Sequence, residues 1–294
     1  IYSTQDTQTN VLTIDVEDYW SVFSRDWLHK EIEPSDAVVR NTEWFLDTLA
    51  KYNVKATFFV LGEVAKKFPA LIKKIAEDGH EVGVHGFSHR QIFKLTEDEF
   101  RREVSDCRKL LEDITSIGVF GHRAPAFSIT PNTKWALEIL AQEGFRYDSS
   151  VFPISGRRYG WPGFSRDICR VDLPSGRSII EVPMSTMIIL GKTFPVAGGG
   201  YIRHFPYTVT RCAISRIQRN RPAVVYMHPY EFEIGSLRKA DSGWPLKKRC
   251  RYMVFSALQY RNRSTMGTKL QNLLRDFEFG PIADVFAEIL NERK

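Results

Sequence analysis

What most constrains this chain is a recurring pattern: short apolar runs alternate with amphipathic stretches about every 30 residues. Val11-Leu12-Thr13-Ile14-Asp15-Val16 reads as a buried strand that ends in carboxylates. Residues 36–52 carry Val38, Val39, Phe45, Leu46 and Leu49 at helical spacing. Ala56 to Leu61 is a second strand, closed by Gly62. Residues 63–78 read as a helix that Pro69 kinks or splits, because proline lacks an N–H and its ring collides with the preceding turn. Gly79 ends that helix, and a third strand runs from His80 to Val84. Thr96 to Glu99 is a capping box for a helix that buries Phe100, Val104, Cys107, Leu110 and Leu111. Ile117 to Phe120 reads as a fourth strand. Thr130-Pro131 opens a helix that stops at Gly144, and residues 145–148 form a fifth strand. Strands joined by helical crossovers lie parallel, so the fold class is α/β with its chemistry at the carboxyl ends of strands.

Beyond residue 150 the pattern loosens. Residues 168–173 and 178–182 form a hairpin around Ser175-Gly176, within an irregular insertion that includes Gly198-Gly199-Gly200-Tyr201. Residues 208–219 look helical, and Ala223 to Met227 is a late buried strand ending at His228-Pro229. Residues 235–263 read as basic and irregular, and helices at 264–277 and 281–292 finish the chain. The expectation is one domain over residues 1–294, with a core at 11–230 and a helical extension at 231–294.

Composition excludes some classes. No apolar run approaches the roughly 18 residues of a membrane span. The first ten residues lack the charged and apolar regions of a signal peptide, although Ile1 in place of Met leaves room for an upstream segment. Cys107, Cys169, Cys212 and Cys250 form no C-x-x-C pair, so buried free thiols and a reducing compartment are expected. The expected location is cytoplasmic, or peripheral to the inner membrane of a bacterium. Net charge is +6, with the excess partly at Lys247, Lys248, Arg249, Arg251, Arg261 and Arg263. No nucleic-acid motif accompanies it. A solvated basic face, or peripheral contact with an anionic glycan or membrane surface, accounts for it.

Two short stretches carry the chemistry. His85-Gly86-Phe87-Ser88-His89 follows the third strand, and a spacing of one helical turn lets both imidazoles face one divalent metal. Asp15-Val16-Glu17-Asp18 follows the first strand. Asp15 and Glu17 share a face there, and Asp18 turns in if the strand ends between them. Carboxylates so crowded repel one another unless a cation or an arginine intervenes. Two histidines and one carboxylate leave coordination positions open for water, as in a hydrolytic site. A second carboxylate then serves as general base. His228, after a buried strand, is the candidate acid.

In this order, Thr13-Ile14-Asp15, His85-x-x-Ser88-His89, Arg123-x-Pro125, Asp148-x-Ser150 and Tyr226-Met227-His228 resemble the polysaccharide deacetylases of carbohydrate esterase family 4, the NodB-homology group. Asp15 to Tyr19, Gly198 to Arg203, His228 to Glu231 and Leu274 to Phe277 look like a subgroup associated with bacterial exopolysaccharide loci. The resemblance implies a distorted (β/α) barrel of seven strands, a divalent metal (commonly zinc), and removal of N-acetyl groups from an N-acetylhexosamine glycan. It implies Asp15 as base, His85 and His89 as metal ligands, Arg123 as the restraint on Asp15, and His228 as acid with Asp148 tuning it. Many members have two adjacent aspartates in the first motif. Here Val16 follows Asp15, so Glu17 is the first choice of third ligand and Asp18 the alternative. Pro125, Phe127, Gly199 and Tyr201 are candidate sugar contacts. Two other readings are an amidase acting on a small non-sugar amide and a glycan-binding module without turnover.

Overall fold

The structure is a computed structural model that describes residues 9–25, 30–156, 159–233 and 243–291. Its first half alternates as the sequence does: β1 (Asn10–Val16), α1 (Tyr19–Phe23), α2 (Ala37–Lys51), β2 (Thr57–Val60), α3 (Gly62–Lys67), α4 (Pro69–Glu77), β3 (Glu81–Val84), α5 (Glu97–Thr115), β4 (Gly121–His122), α6 (Trp135–Gln142) and β5 (Tyr147–Asp148). The second half runs β6 (Cys169–Asp172), β7 (Ser178–Glu181), β8 (Thr186–Ile189), β9 (Lys192–Pro195), α7 (Gly199–His204), α8 (Tyr207–Ile217), β10 (Val224–Met227), α9 (Leu246–Tyr260), α10 (Met266–Asp276), β11 (Phe279–Gly280), α11 (Ile282–Val285) and α12 (Ala287–Asn291).

The main sheet has nine strands and runs β10-β1-β2-β3-β4-β5-β7-β6, with β11 also on β1. From β10 to β7, seven strands pair in parallel, and β6 adds antiparallel to β7. The sheet curls into the half-barrel of the distorted (β/α) class. Its centre is β1, every residue of which is buried, as a parallel strand covered on both faces must be. Strand alternation splits the core in two. Phe58 and Val60 pack outward on Phe45 and Leu49 of α2, Ile72 of α4 and Val104 of α5. Phe59 points into the curl, where it joins Tyr147, Tyr226, Phe127 and Phe152.

Local signals place the early elements. Pro69 splits α3 from α4, and Thr96 and Glu99 close a reciprocal capping box at the start of α5. The hairpin of β6 and β7 pairs Val171 with Ile179.

Five expectations need correction. The fourth strand is Gly121–His122 rather than 117–120; of that apolar run only Val119 is buried, and Ile117 is exposed. The fifth strand is only Tyr147–Asp148. Residues 246–260 form α9, where a basic, irregular stretch over 235–263 was expected; residues 235–242 of that stretch lie outside the described residues. The terminal helix is two short ones, α11 and α12. Finally, Cys107 is buried, whereas Cys212 and Cys250 are exposed; all four are free thiols. Among the described residues no helix is long and apolar enough to cross a membrane.

Candidate active site

Six segments meet at the carboxyl ends of the parallel strands. On β1, Thr13 and Asp15 point into the curl, while Ile14 and Val16 belong to the outer core. The organising residue is Arg123, just past β4 and fully buried. Its NH1 donates to Asp15 Oδ1 at 2.8 Å and to Thr13 Oγ1 at 2.7 Å. Its Nε and NH2 donate to the carbonyl and hydroxyl oxygens of Ser149, both at 2.9 Å. The guanidinium lies 4.3 Å from the Phe59 ring centre, which adds a cation–π contact in a dry setting. A buried charge is tolerated when its donors are satisfied in this way.

The backbone of the same arginine orients a metal-ligand candidate. His85 Nδ1 is 2.8 Å from the Arg123 carbonyl oxygen. A carbonyl only accepts, so Nδ1 carries the proton and the lone pair of Nε2 faces the site. Burial holds this imidazole near pKa 4, against the pull of Asp15 and Glu17, which keeps it neutral. His89 reaches the same point by a different route from the expected helical turn. Residues 85–89 are a bend, with Gly86 at φ 78° and His89 itself left-handed at φ 55°. A non-glycine residue in that region costs energy and marks a position held by its surroundings.

Ligand atoms of Glu17, His85 and His89 lie within 4.8 Å of one another, all three residues buried. Glu17 Oε2 is 2.8 Å from His89 Nε2, and both groups are buried. A buried carboxylate that converges with two imidazoles is a donor set suited to a divalent cation. Burial alone raises the Glu17 carboxyl, but His89, His228 and His85 together outweigh it and hold the group at about 2. The residues present therefore fit a metal ion.

His228 faces this group from the end of β10. Its Nε2 is 3.2 Å from Glu17 Oε1 and 3.9 Å from Asp15 Oδ2. Burial lowers its pKa, but the hydrogen bond to Glu231 and the charges of Glu17, Glu231 and Asp15 prevail and lift it to about 9. Phe127, Tyr159, Tyr226, Tyr230 and Phe255 wall a cavity of about 300 Å³ over these groups.

Two expected roles are corrected. Asp18 is not at the cluster: its Oδ2 caps α1 by accepting from the backbone N–H of Trp20 and Ser21, and its Oδ1 accepts from Ser35 at 2.6 Å. Asp148 does not meet His228 either. Its Oδ1 lies 2.6 Å from His122 Nδ1 and accepts from Ser150, so it organises the β4–β5 edge. The acid that holds His228 is Glu231, whose Oε2 is 3.2 Å from Nδ1. Arg203 backs Glu231 at 3.2 Å, both side chains buried. Sequence reading missed this pair, although Pro229 followed by Glu231 has the form of a capped 3₁₀ turn that returns its carboxylate to His228.

The sugar-contact candidates divide. Phe127 lines the cavity. Pro125 is buried beneath it, opposite Gly86. Tyr201 stands behind the wall, its hydroxyl 2.9 Å from that of Tyr159. Gly199 is no open loop for a sugar. With Gly198 it packs against the Tyr226 ring, where a Cβ on Gly198 would fall 2.0 Å from a ring carbon.

Comparison with known proteins agrees with this geometry. The polysaccharide deacetylase family model matches residues 30–147, and a domain of unknown function, DUF3473, matches 149–287. Residues 30–147 are thus similar in sequence to polysaccharide deacetylases. A peptidoglycan-N-acetylglucosamine deacetylase from Bacillus cereus is 42% identical over 98 residues, 33% of this chain and 36% of that protein. A Listeria monocytogenes protein of the same description is 42% identical over 82 residues, 28% of this chain and 17% of that one. The chain thus spans well under half the length of these relatives. In structure, a Mycobacterium smegmatis chain described as a polysaccharide deacetylase superposes with TM-score 0.61 at 19% identity, covering 100% of this chain and 96% of that one. A peptidoglycan N-acetylglucosamine deacetylase and a pseudoenzyme of carbohydrate esterase family 4 each reach TM-score 0.50, at 18% and 19% identity, over 97% and 98% of this chain and 91% and 68% of theirs. One fold carries both, so activity must be argued from residues. The deacetylase match holds His85, His89 and Arg123. Asp15 and Glu17 precede it, and Arg203, His228 and Glu231 lie in the DUF3473 match. Pairing of β10 with β1 brings the outer two groups together.

Proposed function

We propose that this chain is a metal-dependent N-deacetylase acting on N-acetylhexosamine units of a bacterial polysaccharide, of the exopolysaccharide-associated kind, with zinc as its metal. The observation that carries this reading is the buried Glu17–His85–His89 group beside an aspartate gripped by arginine. Glu17 Oε, His85 Nε2 and His89 Nε2 would hold the ion. A divalent cation there supplies Lewis-acid polarisation of the acetamide carbonyl and a lowered pKa for bound water.

The remaining steps belong to side chains. Asp15 Oδ2, free of the Arg123 bond, takes the proton of the attacking water. Arg123 keeps Asp15 aimed through its hydrogen bond to Oδ1. His228 Nε2 delivers a proton to the amine nitrogen as the C–N bond breaks, and acetate and the free amino sugar leave. Glu231 fixes the orientation of His228 through Nδ1 and balances its charge, as a carboxylate behind a catalytic imidazole does. The aromatic walls give the sugar ring faces to pack on.

The test is acetate release from N-acetylglucosamine oligomers by zinc-loaded protein. Release that Asp15→Asn abolishes supports the proposal. Hydrolysis of small non-sugar amides alone favours the amidase. Oligomer binding without release favours a binding module.

A further inference from the structure

We propose that α9 is a docking face for an anionic lipid bilayer and sets the cavity mouth against that surface. At about 100° per residue, Leu246, Cys250, Met253, Val254, Ala257 and Leu258 fall on one side of this helix, and Tyr252 and Ser256 on the other. The buried side is Tyr252–Ser256, and it packs on Phe23 of α1 and on Trp244. The apolar stripe faces outward: Leu246 is 74% exposed, Met253 62%, Val254 62% and Leu258 49%. A helix that turns its aliphatic side chains to solvent has the reverse of the usual surface polarity.

Charge selects the occupant. Residues 243–275 contain eight basic side chains and no Asp or Glu. Arg263 is buried against Tyr19, Tyr230 and Tyr260, and Lys269 donates to the carbonyls of Ile202, Arg203 and Phe205. Lys247, Arg249, Arg251 and Arg261 remain exposed around the stripe. An aliphatic stripe edged with cations is complementary to acyl chains beneath anionic headgroups. An acidic glycan would satisfy the cations but offers no hydrocarbon to the stripe. Location adds a consequence: Phe255 and Gln259, on the inner flank of α9, line the active-site cavity. A bilayer seated on the outer flank therefore lies beside the cavity's mouth. The binding claim is independent of turnover.

Flotation of the full chain with vesicles tests it. Binding is expected to phosphatidylcholine–phosphatidylglycerol vesicles, at least about tenfold weaker to phosphatidylcholine alone, and reduced by salt. The variant Met253→Ser/Val254→Ser/Leu258→Ser, and separately Lys247→Glu/Arg251→Glu, should each weaken binding to the anionic vesicles at least about tenfold. Melting temperature and acetate release from a soluble oligomer should stay as in the parent, which separates failure of docking from failure of the fold or of the deacetylase reading. Three results overturn the proposal: no binding to anionic vesicles, binding that the serine variant leaves intact, or a parent dimer in sedimentation that the serine variant dissociates, which gives the stripe to a second copy of the chain.

Discussion

Glu231 Oε2 stands 3.2 Å from Nδ1 of His228 and equally far from that residue's backbone nitrogen. One carboxylate thus fixes both the ring and the turn that presents it, and Arg203 holds its other oxygen. Replacing it by Gln should lower kcat by about 10–100-fold, with KM and metal content little changed. Steady-state kinetics on an N-acetylglucosamine oligomer, with metal analysis of the same sample, checks this. Asp148→Asn should leave the His228 function in place, because Asp148 faces His122 instead.

Asp15→Asn should retain the metal and lower kcat/KM by about 10²–10⁴-fold. The amide still accepts from Arg123, so the packing survives while the base is lost. If the variant kept most of the parent rate, the base would have to be sought elsewhere.

Glu17 and Asp18 should separate cleanly. Glu17→Gln, like His85→Ala or His89→Ala, should lose zinc on dialysis and lose activity with it. Asp18→Asn should keep zinc, and Asp18→Ala should cost about 1 kcal/mol of stability through loss of the α1 cap. Metal analysis and urea melts of the variants decide the assignment.

Gly198→Ala tests the packing behind the cavity wall. Its new Cβ collides with the Tyr226 ring, so a loss of about 1–3 kcal/mol and a lower melting temperature are expected. The same substitution at Gly163, where nothing lies within 4 Å, meets no neighbouring atom; the penalty there is for its left-handed φ of 80° alone.

Acid should weaken the fold through His80. Burial, aided by nearby Lys55, lowers its pKa to about 4, and its Nδ1 lies 3.2 Å from the Ala56 backbone nitrogen as the neutral acceptor. The unfolded imidazole titrates near 6.5. The stability this contributes is present above about pH 6.5 and is lost as pH falls from there through about 4. His80→Gln should flatten the dependence of unfolding free energy between about pH 7 and pH 5, measured by urea titration.

The sequence alone determined the parallel strand–helix order and the residues at strand ends. These follow from period-2 and period-3.6 patterning and from caps, all of which act within a few residues. It also yielded Asp15, Glu17, His85, His89 and His228 from their places beside apolar runs, and Arg123 from the family resemblance. Only the tertiary structure decided which acid serves which base. Arg123 and Asp15 are 108 residues apart, and Arg203 and Glu231 are 28 apart. Pairing at that range depends on register and packing, which no local pattern encodes. It sent Asp148 to His122, 26 residues away, whereas the Glu231 contact to His228 and the Asp18 cap on α1 are local turns within three residues. The histidine pair shows the division in one place: spacing marked the residues, but the left-handed backbone at His89 that turns the second ring inward is imposed by the fold around it.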